Sequence, residues 1–214
     1  MEVRPAQVTF WEGLRSNCLL LLWKLGCWTP PDRRVLNERI LPYYATEPGF
    51  ERILFVGIKK YNRRNRALFA RRTYTTIDPD LASARYGGER HITAVLEDLS
   101  AHVTPSTFDV IVVNGVIGFG LNDSDAVEKA VAACRRALRA GGHLIISLNE
   151  NTPARIDLSL IAAAEGLEPQ VIAPFADVRL VVHTPLRERT HTYYAFGRRP
   201  DDVSRTNPLE SARR

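Results

Sequence analysis

Residues 108–114, FDVIVVN, narrow the folds open to this chain more than any other stretch. The run is strongly apolar and shows no alternation with polar residues, so it reads as a strand buried on both faces, the environment of a central strand in a parallel sheet. Similar runs surround it. Residues 52–56 (RILFV), 73–77 (TYTTI), 91–96 (HITAVL) and 141–148 (GGHLIISL) also read as strands. Helices are expected between them over 62–71, 80–86 and 124–139, the last capped by Asp123 or Ser124. A further helix over 153–165, ended by Gly166, precedes three final strands at 168–175, 178–184 and 190–199. Helices between strands imply right-handed crossovers and a mainly parallel sheet. The expected class is α/β.

The first 49 residues have a different texture. Phe10, Leu14, Cys18, Leu21, Leu22 and Leu25 recur at helical spacing, and Trp11, Leu19, Leu20 and Trp23 widen the stripe, so 8–27 read as a helix. TPPD (29–32) stops it, and Asp32 is a candidate cap for a second helix over 33–41. TEPGF (46–50) reads as a linker. The expected organisation is a helical cap at 1–49, an α/β domain at 50–199 and a polar, disordered tail at 200–214. The cap stripe is also a candidate surface for a homodimer or another protein partner.

Charge and cysteine usage exclude several functions. The net charge of +5 permits an anionic partner without demanding one. Seven Lys or Arg lie in KKYNRRNRALFARR (59–72), but no nucleic-acid motif accompanies them, and a solvated helix face is the favoured reading. Cys18, Cys27 and Cys134 show no metal-ligand spacing, so no metal site is expected, and free thiols suit a reducing, cytoplasmic setting. None of the five histidines pairs with Cys or Asp at ligand spacing. No run reaches the roughly 18 apolar residues that a membrane span needs.

Two residues point to chemistry. Gly57 closes the first strand and opens the turn that follows it. Asp78 ends the second strand 21 residues later. An acid at about that distance from a strand-glycine turn accepts hydrogen bonds from the ribose hydroxyls of an adenosine cofactor; an Asx-turn in DPD is the plainer alternative.

The stretch 108–147 carries a more specific signal. FDVIVVN, a small polar turn, a helix ending RRALRAGG and the strand HLIIS resemble the second half of the class I S-adenosylmethionine-dependent methyltransferase domain, and TTIDPD resembles the acidic tip of that family's second strand. The resemblance covers about 51–197. It implies a Rossmann-like fold with an antiparallel last strand, S-adenosyl-L-methionine as cofactor and methyl transfer to an oxygen or nitrogen of a small molecule. Gly57 would lie beneath the cofactor, Asp78 would hold its ribose, and Pro79 would pack beside its adenine. Asp98 would contact the adenine amine, and Asn114, Gly115 and Val116 would line the cofactor and the transfer site. Glu150, just past the fifth strand, is the candidate general base. Tyr44, ahead of the core domain, is a candidate pocket residue under a lid of N-terminal helices.

One departure stands out. The family's G-x-G-x-G is Gly57-Ile58-Lys59-Lys60-Tyr61 here. A lysine is a candidate partner for the cofactor's methionyl carboxylate, and Tyr61 a candidate cover for its sulfonium. The other reading is a degenerate loop with solvated lysines. In that case the fold serves as a non-catalytic binding or heterodimer module. An RNA methyltransferase that uses the basic run is a third.

Overall fold

The computed structural model describes residues 10–25, 27–150, 156–185 and 189–199. The expected tail at 200–214 lies outside them, as do residues 8–9 and 153–155 of two expected helices. Eight strands form one sheet: β1 (Arg52–Val56), β2 (Thr73–Ile77), β3 (Arg90–Ile92), β4 (Phe108–Val113), β5 (Leu138–Asn149), β6 (Leu167–Pro169), β7 (Arg179–Thr184) and β8 (Arg189–Arg198). Their order is β3-β2-β1-β4-β5-β8-β6, with β7 also paired to β8. The first five strands run parallel. β8 runs antiparallel to β5, β6 and β7. This is the expected α/β architecture.

Two apolar cores cover the two sheet faces, because strand side chains alternate. Leu54, Val56, Ile111, Val113, Leu144 and Ile146 pack on one face with α5 (Leu99–His102), α6 (Ser124–Ala137) and α7 (Leu158–Ala164). Asp123 caps α6 by accepting the Ala126 N–H at 3.1 Å. Ile53, Phe55, Val110, Val112 and Ile145 face the other way. Their cover comes from a helical run at 31–46: α2 (Pro31–Val35), a π-turn (Leu36–Ile40) and α3 (Leu41–Thr46). The π-turn ends just ahead of Pro42, which has no N–H to donate. Leu36, Ile40, Leu41 and Tyr44 are fully buried there. Each such side chain contributes about 1.5–3 kcal/mol of transfer free energy. Residues 31–46 are therefore part of the core's construction. The remaining N-terminal helix, α1 (Phe10–Lys24), leaves Leu21 and Leu22 exposed. Among the described residues no helix is long and apolar enough to cross a membrane.

Several expected elements come out differently. The helix expected at 62–71 is a 3-10 turn (Lys60–Asn62) followed by one short helix, α4 (Asn65–Leu68). Asn62 and Asn65 are buried, and the Asn62 side chain accepts the Lys59 N–H at 3.0 Å. Such local side-chain bonds compete with helix continuation. The helix expected at 33–41 starts two residues earlier with proline in its first turn, so Asp32 lies within that turn and does not cap it. The strand expected at 168–175 pairs only at Leu167–Pro169. Beyond it, Ile172 and Phe175 turn inward to the core, and Ala176 takes a positive φ of 59°.

Asp109 pins the sheet's lower edge. Its carboxylate accepts the N–H groups of Glu51 (2.8 Å) and Arg52 (2.7 Å) and the Arg139 Nε–H (2.6 Å). Burial alone would raise its pKa, but the bonds from Arg52, Arg139 and Glu51 outweigh burial and hold it below the usual carboxylate range.

Candidate active site

The chain leaves β1 for β2 on one side and later reaches β4 on the other, so the sheet's order reverses between β1 and β4. Open parallel sheets bind ligands at such a reversal, beyond the carboxyl ends of the strands. Gly57 follows β1 there and Gly115 follows β4. Gly57 has φ +82°, and a Cβ on it would stand 2.8 Å from Val116 Cγ2 and 3.0 Å from the Asn114 carbonyl oxygen. Only glycine fits both that backbone and that gap. A cavity of about 700 Å3 opens over it, within the roughly 300–1,000 Å3 common for small-molecule sites.

The cavity's β2 side is set by Asp78, which is buried. Its Oδ2 accepts the Ile58 N–H at 2.8 Å, and its Oδ1 accepts the Asp80 N–H at 2.9 Å. An ionised carboxylate offers about four acceptor positions, so two remain for a ligand's hydroxyls. Ile77, Pro79, Ala94, Val95 and Leu96 continue this wall as an apolar slot, and Glu97 lies beside it. The wall suits an adenosine-bearing molecule: a close backbone approach at Gly57, a ribose acceptor at Asp78 and a flat apolar berth next to them.

Where the glycine-rich pattern would continue, side chains stand instead. Ile58 is fully buried in the core. The half-exposed Lys59 side chain reaches Asp78 Oδ2 at 3.7 Å and Asp80 Oδ2 at 3.9 Å. Tyr61 turns towards the N-terminal segment. The Arg33 guanidinium lies 4.5 Å from the Tyr61 ring centroid and donates to its hydroxyl at 3.0 Å. Trp23 of α1 packs tilted against the same ring, centroids 6.0 Å apart. Leu20, Trp23, Asp32 and Arg33 thereby close over the cavity.

A polar wall completes it. Asn149 at the end of β5, Thr184 at the end of β7 and His191 on β8 all line the cavity. Asn149 and His191 are register partners across β5 and β8. The neighbouring Tyr193 hydroxyl donates to the Asp32 carbonyl at 2.8 Å and ties α2 to this corner. Burial pushes the His191 pKa down to about 4; Asp32 and Glu150 oppose that shift and Arg33 adds to it.

Of the residues singled out from sequence, Gly57, Tyr61, Asp78, Pro79, Gly115 and Val116 meet on the cavity. Asn114 stands behind this wall, buried, and its side-chain amide has no hydrogen-bond partner. Three others are corrected. Asp98 is exposed and off the cavity, where Glu97 stands instead, because β3 stops at Ile92 and the chain crosses the opening earlier than expected. Glu150 is exposed and accepts the Tyr194 hydroxyl at 3.2 Å; the cavity takes its neighbour Asn149. Tyr44 lies in the core with its hydroxyl 3.0 Å from His143 Nδ1, because its helix covers the sheet face and not the opening. Sequence reasoning missed Asp32, Arg33, Thr184 and His191 as cavity residues; none stands in a motif.

Residues 59–146 match the family model described as a methyltransferase domain. No curated protein sequence matches the chain. Solved structures are similar across almost the whole chain. One is the Burkholderia thailandensis 1,6-didemethyltoxoflavin-N1-methyltransferase, crystallised with 1,6-didemethyltoxoflavin and S-adenosylhomocysteine, at 15% identity, TM-score 0.52 and 93% coverage of each chain. A second is the N-methyltransferase NodS from Bradyrhizobium japonicum, at 16% identity and TM-score 0.53, covering 88% of this chain and 96% of that one. A third is a TehB-like methyltransferase from Corynebacterium glutamicum, at 19% identity and TM-score 0.52, covering 88% and 98%. At these identities the likeness establishes the shared fold.

Proposed function

We propose that this chain is a class I S-adenosylmethionine-dependent methyltransferase that methylates an oxygen or nitrogen of a small molecule, a reading that its fold and the methyltransferase-domain match over residues 59–146 support. The observation that carries the reading is the meeting of Gly57 and Asp78 on one cavity at the sheet's reversal point. S-adenosylmethionine supplies an electrophilic methyl group on a sulfonium. Asp78 would hold its ribose hydroxyls, the slot from Ile77 to Leu96 its adenine, and Gly57 and Gly115 the path beneath it. Lys59 and Arg33 are the cations at hand for its carboxylate. The protein's own work is alignment and exclusion of water. Leu20, Trp23 and Arg33 serve both by covering the opening, so α1 acts as the lid with Arg33 at its edge. The rest of the cavity, about 700 Å3 in all, takes the acceptor.

Calorimetric titration with S-adenosylhomocysteine tests this. Wild type should bind, and Asp78→Asn should bind about 10–100-fold more weakly, since a hydrogen bond to a charged acceptor contributes about 1.5–3 kcal/mol. No heat from the folded wild type would refute the transferase reading. The Lys59–Asp78 pair favours a second reading for that case: a fold kept as a binding module, its ribose acceptor already neutralised from within.

A further inference from the structure

We infer that the acceptor is an uncharged, largely apolar molecule with an aromatic ring, and that Phe119 covers it. This rests on the transferase reading above and names the substrate class of that site. With the donor's adenine at Ala94–Leu96 and its ribose at Asp78, the acceptor's share of the cavity lies towards β4, on the far side of β1 from β2. Apolar side chains from two segments line it: Leu20 and Trp23 of α1, and Phe119 and Leu121 of the turn after β4. The Val116 carbonyl closes that turn by accepting the N–H groups of Phe119 (3.0 Å) and Leu121 (3.2 Å), and Gly118 takes a φ of +86° within it. Phe119 thereby stands at the tip, 60% exposed while lining the cavity. A large apolar side chain left in water at the edge of a cavity gains by burial against a ligand. Trp23, packed on Tyr61, is the fixed wall.

Charge decides against a polar acceptor. The carboxylates of Asp32, Asp78 and Glu97 and the cations of Lys59 and Arg33 line the cavity, an excess of one negative charge. S-adenosylmethionine brings a carboxylate, an ammonium and a sulfonium, an excess of one positive charge, so the loaded cavity is balanced. His191 adds no charge at neutral pH, since burial pushes its pKa down to about 4. Asp80 and Glu150 are exposed and off the cavity, where water screens them. Both cations are engaged as well, Lys59 with Asp78 (3.7 Å) and Asp80 (3.9 Å), and Arg33 with Asp32 (3.8 Å) and the face of Tyr61. An acceptor bearing a phosphate, carboxylate or ammonium would leave water with no counter-charge to meet it. An uncharged ring carries no such cost and packs on Phe119 and Trp23 in the edge or offset contacts that aromatic pairs favour. A phenol, an aniline or a ring N–H compound meets these terms; an amino acid, a polyamine or a sugar phosphate does not.

Calorimetric titration of the protein saturated with sinefungin tests the assignment, because that analogue carries an amine in place of the methylsulfonium and keeps the donor's charge. 2-Naphthol should bind saturably. 2-Naphthoate and 2-naphthylmethylammonium, the same ring bearing a charge, should bind at least about 10-fold more weakly. Phe119→Ala should weaken 2-naphthol by about 10-fold and Phe119→Leu by less, with sinefungin affinity within about threefold of wild type. Phe119 is exposed, so neither variant endangers folding. No binding of 2-naphthol by the sinefungin complex, or binding of either charged ring as tight as that of 2-naphthol, would overturn the proposal. So would an unchanged 2-naphthol affinity in Phe119→Ala. A folded wild type that binds no sinefungin would instead refute the transferase reading, and titration of 2-naphthol into ligand-free wild type and Phe119→Ala would still decide whether Phe119 covers a ring.

Discussion

His143 lies on β5 between the aromatic rings of Tyr44 and Phe50, the second centroid 4.8 Å away. Burial, with Arg139 adding to it, pushes its pKa down to about 4. In the unfolded chain a histidine protonates near 6.5. Between these two values the unfolded state binds the proton and the folded state does not. The stability from keeping His143 neutral is therefore complete above about pH 6.5 and drains away as pH falls towards 4. At pH 5 the unfolded histidine is almost wholly protonated and the folded one only about a tenth so, which amounts to about 2 kcal/mol. His191 adds a similar loss. Urea unfolding of wild type and His143→Gln at pH 7.5 and pH 5.0 isolates the first contribution, because the second is common to both. The variant should be less stable at pH 7.5, having lost the Tyr44 contact, but should lose about 2 kcal/mol less than wild type on acidification. Equal losses in the two proteins would refute the argument that burial governs this residue. Binding of S-adenosylhomocysteine at pH 7.5 should be unchanged, since Tyr44 and His143 stand away from the cavity.

Other substitutions separate the site from its scaffold. Gly57→Ala puts a side chain at φ +82° and against Val116 and the Asn114 carbonyl; it should cost at least about 1–2 kcal/mol in urea unfolding and abolish the calorimetric signal for S-adenosylhomocysteine. Asp109→Ala strands two backbone N–H groups and Arg139, and should destabilise by about 3 kcal/mol in the same assay without changing the ligand's dissociation constant in the remaining folded protein. Lys59→Ala removes a half-exposed partner of Asp78, and unfolding free energy should shift by less than about 1 kcal/mol.

The sheet was legible because its strands are apolar runs bounded by turns. The expected bounds of β1 and β2 coincide with those observed, and β4 differs by one residue. Where side chains outside the periodic pattern decide, reading failed. Two buried asparagines shortened the helix after β1, and nothing in the spacing of NRRNRALF announces that they turn inward. Tyr44 carried no mark to tell a core tyrosine from a pocket one, because that depends on which sheet face its helix covers. Gly57 and Asp78 were legible because the parallel fold fixes where strand ends meet. Asp32, Arg33, Thr184 and His191 were not, because they come from three separate elements and converge only after the sheet and the α2 contacts have formed.

The two halves of the cavity differ in how freely they can change. Gly57, Asp78 and Gly115 are held at strand ends, where a substitution disturbs the sheet that every other element depends on. Leu20 and Trp23 belong to a helix whose opposite face already meets water, and they can be exchanged at little cost to folding. Substitutions at Leu20 or Trp23 can therefore reshape the cover of the cavity, and so what it admits, while its floor at Gly57, Asp78 and Gly115 stays fixed.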